Sequence, residues 1–441
     1  MEKSKILATI ENFTADQLIE QIKAGIVTLK ELNGTGNFSI HDSRYKQITK
    51  WQKELDIKDD ESWERARYGT EMDLRGYISN YPFGKYVVDA KATIRHLEDD
   101  RRRANAEKQI ILEKLRVNHN SFTPGEIKDF LKNTISETDL IDCGFPLDIV
   151  STINTFKRPE LELGEVPQSI PDGFTEVYFW GIPGSGKTCA LAAILNTASR
   201  AGYLEMSTGP GFNYMLQLKN IFEKNQAILP RPTNVEDTQY LPFVLKKGDD
   251  KPRSVSLIEL SGEIFECFLH KNAGKTLSPR HENTFNTLIK FLNGNNRKIH
   301  FFFIDYHKQN EIDDKGYLQS DYLNSASIFF NNNDIFKKST DAIFIVLTKS
   351  DLLNCPKEDR LKHSIEYLKS ESFLAFTNTL KNRCKELSIN AGKLTVEPFS
   401  LGNVYLKFIC DFDNSSAFKI IDILLDRIAP SQRSFFDIFN K

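Results

Sequence analysis

The chain is poor in the residues that build metal clusters and disulfide frameworks. Its 441 residues include only 6 cysteines, at 143, 189, 267, 355, 384 and 410. None forms a CxxC pair or joins a Cys/His cluster, so neither zinc nor a disulfide framework is indicated. An excess of one charge is also missing: 58 Lys and Arg stand against 60 Asp and Glu, a net charge of −2. General nucleic-acid binders and anionic-membrane binders usually carry a basic excess, so neither class is expected. No run approaches the length and apolarity of a membrane span. The opening MEKSKILATIENFTADQL is broken by Glu and Asn and has no signal-peptide core. A soluble, cytoplasmic protein is therefore expected. Apolar mass is abundant, with 40% hydrophobic residues and 32 Phe. That excludes disorder of the whole chain, and the length allows several domains.

Composition changes near residue 160. Residues 1–157 read as helices with polar joints. RPELELGEVPQSIPDG (158–173) has three prolines and two glycines and reads as a linker. Residues 174–430 alternate β-rich apolar runs with helical patterns, the signature of an α/β layer structure. Residues 431–441 remain as an aromatic tail, expected to pack on the domain.

Two segments of the helical part echo each other. FTADQLIEQIKAGI (13–26) lies over FTPGEIKDFLKNTI (122–135) without a gap. Thr14 and Thr123 fall at N-cap positions before one apolar face. Duplication and chance sharing of caps are both consistent with this. Between them come Trp63, Ala66, Leu74, Tyr77, Tyr81-Pro82, Gly84, Tyr86, Ala90, Ile94 and Leu97. Large and small residues alternate on two helix faces around a Pro/Gly turn. This resembles one tetratricopeptide-like hairpin. A solenoid needs about three or more repeats, so a compact protein-docking module is expected. DDRRR (99–103) opens a further helix that ends near Arg116, with a solvated charged face.

The strongest signal is TEVYFWGIPGSGKTCALAAIL (175–195). Gly181-Ile-Pro-Gly-Ser-Gly-Lys187-Thr188 matches GxxxxGK[ST] in full, between a short apolar strand and a helix-forming run. Gly184 and Gly186 let the backbone curl so that Ser185 and its neighbours turn N–H groups toward one phosphate. The helix N-terminus, running into Cys189, adds a positive dipole end. Lys187 can reach the β- and γ-phosphates, and the Thr188 hydroxyl can ligate Mg²⁺.

Four later segments bear on which nucleotide is bound. SVSLIELSGE (254–263) is a strand followed by Ser261-Gly262-Glu263. Ile299 to Asp305 is another apolar strand ending in a carboxylate. Asp341 to Leu347 is a third, followed by Thr348-Lys349-Ser350-Asp351. An Asp351 carboxylate can accept from both N1–H and the 2-amino group of guanine, whereas adenine would leave it unpaired. A surface turn after a buried strand is the plain alternative. Leu394 to Phe399 is a last strand, with Ser400-Leu401-Gly402 at its tip.

In this order the segments resemble the Ras-like and translation-factor-like P-loop GTPases, over about 174–428. The GE after the second strand and the PxPT of Leu229–Thr233 also look like bacterial conflict-system "double-GTPase" type domains. The resemblance implies a doubly wound, mostly parallel P-loop NTPase sheet preceded by an all-helical region. It implies GTP or GDP with Mg²⁺, and a switch driven by hydrolysis. Glu259 stands where the DxxG motif has Asp, so it would hold Mg²⁺ through water. Gly262 would sense the γ-phosphate and Glu263 would orient the attacking water. Thr348, Lys349 and Asp351 take the place of NKxD, and Ser400 and Leu401 that of the last base contact. Asp305 fits either a buried GTPase strand or the Walker B carboxylate of an ATPase, which keeps ATP or ADP open. Thr233, with Thr238 second, is the candidate switch I metal ligand. Arg231 or Arg253 are candidate arginine fingers. The long gap between Lys187 and Glu259 implies an inserted helix over 212–225. The function expected is a slowly hydrolysing guanine-nucleotide switch with a protein partner on its N-terminal helices. A nucleotide-bound scaffold that does not hydrolyse is the other alternative.

Overall fold

The computed structural model describes residues 2–36, 38–162, 167–224, 226–231, 238–248 and 250–428. Contacts divide the chain into Met1–Ile111 and Leu112–Lys441. The helical region expected over 1–157 is thus shared between two units, and each is described by itself.

The first unit contains α1 (Lys3–Ala8), α2 (Ala15–Lys23), α3 (Leu29–Asn33), α4 (Ser43–Ala66), α5 (Glu71–Asn80) and most of α6 (Val87–Val117). Thr14 caps α2 through a reciprocal bond pair with Gln17. This satisfies two amides that a helix start leaves unpaired. Ile6, Ile10, Leu18, Leu32 and Ile48 form one small core. Leu74, Tyr77, Ala90 and Ile94 form another, with Trp63 and Tyr86 stacked at 5.2 Å. Trp63 and Ala66 belong to α4, so the tetratricopeptide-like pattern is spread over three helices. The helix expected to open at 99 is also not separate, because α6 runs unbroken through DDRRR. Pro82 and Gly84 do form the turn before α6. The buried Asp59 carboxylate braces that turn, accepting from Tyr77 Oη at 2.5 Å and the Lys85 amide at 2.8 Å.

The second unit opens with α7 (Pro124–Asn133), α8 (Glu137–Asp142) and α9 (Leu147–Thr155). Thr123 caps α7 just as Thr14 caps α2, so the echoed segments share their start signal. The strands follow: β1 (Thr175–Trp180), β2 (Leu204–Met206), β3 (Gln226–Ile228), β4 (Gln239–Leu245), β5 (Arg253–Glu259), β6 (Arg297–Asp305), β7 (Thr340–Thr348), β8 (Thr395–Pro398), β9 (Gly402–Tyr405) and β10 (Ile409–Phe412). Among the described residues, seven strands form one sheet in the order β2-β4-β5-β1-β6-β7-β8. From β5 to β8 every pairing is parallel. β4 runs antiparallel to both β2 and β5. This is the expected doubly wound, mostly parallel α/β sheet.

Helices α10 (Lys187–Arg200), α11 (Phe212–Ile221) and α17 (Ser415–Ile428) cover one face of the sheet. Helices α12 (Ile264–Asn272), α13 (Pro279–Leu292), α14 (Gln319–Asn332) and α16 (Glu371–Glu386) cover the other. The short α15 (Arg360–Tyr367) precedes α16. Strand alternation explains why β6 carries apolar side chains on both of its buried faces. Phe301 and Phe303 enter the first core, while Phe302 and Ile304 enter the second. Among the described residues no helix is long and apolar enough to cross a membrane.

A three-stranded sheet, β3-β10-β9, stands beside the main one. Its β9–β10 turn is fastened to the residues before α7. The Asn120 amide nitrogen donates to the Val404 carbonyl at 2.9 Å, and the Lys407 amide donates to Asn120 Oδ1 at 2.7 Å. The His119 ring stacks on Tyr405.

Candidate functional site

The site lies at the carboxyl ends of β1, β5, β6 and β7. Gly184 and Gly186 have φ of +72° and +87°, which glycine adopts at little cost. Gly186 caps α10, whose first amides lack partners within the helix. Lys187 turns back into the loop. Its Nζ donates to the Gly181 carbonyl at 2.6 Å and the Ile182 carbonyl at 3.1 Å. Burial pulls the amine down to about 8, and Glu259 opposes that shift. The Ser185 hydroxyl is fully buried and has no partner among the described residues. A loop with a hydroxyl unpaired among the described residues, the start of a helix and a desolvated amine suits a phosphate group.

Glu259 ends β5 beside this loop. The Thr188 hydroxyl donates to Glu259 Oε1, and Tyr214 Oη donates to Oε2 at 2.8 Å. Burial raises the Glu259 carboxyl above its ordinary range, and the Thr188 bond lowers it. Thr188 and Glu259 thus come together and offer hard oxygens of the kind Mg²⁺ takes. Among the described residues no group of three or more His, Cys, Asp or Glu could hold a metal. A magnesium ion here would draw most of its ligands from phosphate and water. Tyr214 was not legible as a functional residue. It sits on α11, the inserted helix expected over 212–225.

The turn after Glu259 presses on the phosphate loop. A Cβ at Gly262 would lie 2.4 Å from the Pro183 nitrogen. Glu263 follows, and its Oε2 lies 3.0 Å from His281 Nε2 at the start of α13. His281 carried no motif that could have singled it out.

Asp305 does not join Thr188 and Glu259. Its buried carboxylate is taken by Lys349 Nζ at 2.7 Å and the His307 amide at 2.9 Å. Thr348 takes a different position. Its hydroxyl lies 2.8 Å from the Ser185 carbonyl and 3.2 Å from that of Ile304, tying the end of β7 to the phosphate loop. The Ser350 amide donates to the Phe399 carbonyl at 3.1 Å, which draws the Ser400-Leu401 tip alongside. Asp351 is half-buried in the turn Ser350–Leu352, and its carboxylate has no bonded partner among the described residues. Lys187 and Asp351 therefore share one edge of the sheet. Cys189 follows on α10, its thiol pushed up to about 12 by burial.

Thr233 lies outside the described residues, as does the aromatic tail. Thr238 is buried directly before Gln239, which pairs with Glu259 across β4 and β5. Arg231 is exposed and faces Glu160 at 3.6 Å. Arg253 is no candidate finger. It begins β5, and six residues at about 3.3 Å each put it roughly 20 Å from Glu259. Arg158, from the expected linker, was missed. It donates to the Leu229 and Pro230 carbonyls and lies 3.7 Å over the Phe408 ring.

No protein-family model and no curated protein matches the sequence. Several solved structures overlap it in part. One is Methanosarcina barkeri Roco2 RocCORdC bound to GDP, at 13% identity and TM-score 0.26, covering 62% of this chain and 53% of that one. Another is a Plasmodium falciparum structure described as nucleolar GTP-binding protein 1, at 16% and 0.26, covering 58% and 94%. A third is the S. cerevisiae Ski7 GTPase-like domain bound to GTP, at 16% and 0.27, covering 58% and 50%. The chain spans about half the length of the first and third. At these scores the functional reading rests on the chain's own residues.

Proposed function

We propose that this chain is a guanine-nucleotide switch that binds GTP with Mg²⁺ and hydrolyses it slowly. The observation that carries the reading is the Thr348–Ser185 tie. It holds the TKSD turn against the phosphate loop, so an Asp351 carboxylate with no bonded partner among the described residues and the Lys187 amine sit on one edge.

Gly184, Ser185, Gly186 and Lys187 bind the phosphates, the lysine exchanging its two carbonyl partners for phosphate oxygens. Cys189, Thr348 and Lys349 line the base and ribose end, beside the Ser400-Leu401 tip. Asp351 selects guanine, because its two acceptor oxygens match two adjacent guanine donors. Thr188 and Glu259 hold Mg²⁺, with Thr238 or Thr233 joining from the segment before β4. When bound, the ion neutralises charge on the β- and γ-phosphate oxygens. Gly262 reads the γ-phosphate by its contact with the loop. Glu263 orients water, and a carboxylate beside a triphosphate meets like-charge repulsion, which supports slow turnover. An ATPase reading with Asp305 as metal ligand has no comparable support, since that carboxylate is committed to Lys349 and His307. The finer likeness to conflict-system domains belongs to the same proposal and draws on Gly262-Glu263. The first unit docks a protein partner, a reading supported by its exposed Tyr68, Met72, Phe83 and Val88 side chains.

The test is equilibrium affinity for GDP, GTP, ADP and ATP, each with and without Mg²⁺. Guanine nucleotides are expected to bind at least tenfold tighter. Asp351→Asn should weaken GTP and favour xanthosine triphosphate. Equal affinity for ATP, or an Asp351→Asn protein unchanged toward GTP, would refute the reading. Tight binding without turnover would leave a nucleotide-bound scaffold.

A further inference from the structure

We propose that His281 is a positioning residue for hydrolysis, acting through Glu263; this rests on the reading above. Glu263 is the N-cap residue of α12, and its side chain makes no capping bond. Its Oε2 is held by His281 Nε2 at 3.0 Å. Its other oxygen, Oε1, has no partner among the described residues. The His281 amide donates to Ser278 Oγ at 3.2 Å, locking the first turn of α13. Lys271 on α12 pairs with Glu282 on α13 at 3.3 Å, so the two helices keep the dyad in register. The Glu263 and His281 side chains are 26% and 21% exposed, so water reaches them from solvent. Gly262, immediately before, abuts Pro183 of the phosphate loop. The dyad therefore stands at the rim where a γ-phosphate would lie.

A lone glutamate there would have several rotamers, and phosphate repulsion would favour the ones turned away. An N–H donor from His281 fixes one rotamer and draws down the carboxylate charge. Oε1 then accepts a hydrogen bond from one water. The water oxygen forms a bond to the γ-phosphorus, and the bond to the β–γ bridging oxygen breaks with its electron pair going to GDP. The water proton passes by way of Oε1 to the released phosphate, leaving Glu263 as it began.

The experiment uses the full chain, with GTP affinity measured by equilibrium titration and hydrolysis by single-turnover phosphate release. His281→Ala should leave GTP affinity within about twofold and slow hydrolysis by up to about 10²-fold, the loss a misplaced group can cause. His281→Gln keeps an N–H donor and should recover most of the rate. Glu263→Ala should lose at least as much as His281→Ala, and the double variant no more than Glu263→Ala, since coupled residues are not additive. The inference is overturned if His281→Ala hydrolyses at the wild-type rate, if the two losses multiply, or if wild type binds GTP tightly without hydrolysing it. Wild type failing to bind GTP would sink the switch reading and this inference together.

Discussion

Replacing Gly262 by alanine probes the contact between the turn after β5 and the phosphate loop. Gly262 is not among the positive-φ glycines, so alanine costs nothing in backbone strain there. The steric effect is isolated. The new Cβ would stand 2.4 Å from the Pro183 nitrogen and 2.5 Å from its Cδ. Non-bonded heavy atoms rest about 3.5–4.0 Å apart, so the two segments must separate by about 1 Å. Neither opponent is the free end of a flexible side chain. One is backbone and the other is a ring atom, so little can yield locally. Overpacking of this kind costs about 1–3 kcal/mol. The kinetic effect should be larger, because a 1 Å misplacement near reacting atoms can cost about 10²-fold in rate. Stopped-flow phosphate release after mixing with GTP and Mg²⁺ is the assay, beside GDP and GTP affinities. Hydrolysis should fall by about two orders of magnitude, and GTP affinity should fall more than GDP affinity. A Gly262→Ala protein with wild-type hydrolysis and an unchanged ratio of the two affinities would refute the contact.

Three further outcomes are expected. Thr348→Val removes the donor to the buried Ser185 carbonyl, and an unsatisfied buried acceptor costs about 1–3 kcal/mol. Thermal melting should drop and GTP affinity weaken, and no change in either would contradict the tie. Tyr214→Phe removes a side-chain donor bonded to Glu259 and should lower the unfolding free energy by a similar amount, read as a lower urea midpoint; an unaltered midpoint would show the bond to be absent. His300 is buried beside Trp180 Nε1, and burial lowers its imidazole from 6.5 to about 3. The folded pKa is depressed, so between pH 6.5 and 3 the unfolded chain takes a proton that the folded chain refuses. Stability then falls with falling pH, by about 1.4 kcal/mol per pH unit from this group. Urea unfolding at pH 7 and pH 5 should show a loss of about 2 kcal/mol in wild type that is absent in His300→Gln; matching losses would exclude it.

The phosphate loop was legible because its signal is local: glycines, lysine and threonine lie between a strand and a helix within one short run. β6 and β7 were legible for the same reason, as was the inserted helix, which forms as Phe212–Ile221. β4 was not. Pro242 interrupts its pattern, and it is held by long-range pairing to β2 and β5. β3, β9 and β10 are three or four residues each, too short for any period to show. The two carboxylates at strand ends looked alike in sequence. Glu259 meets Thr188, whereas Asp305 meets Lys349, and only the fold decides which cation or hydroxyl arrives. Tyr214 and His281 reach their carboxylates from separate helices, so no spacing could reveal them.

The three-stranded sheet has a mechanical consequence. β3 leads directly into Leu229, whose amide donates to the Phe408 carbonyl at 2.7 Å. β9 begins one residue after Leu401, and its far end is gripped by His119 and Asn120. The sheet therefore joins two places: its Gly402 end adjoins the Ser400-Leu401 tip, and at its opposite end Leu229 and the β9–β10 turn lie together, held by His119 and Asn120.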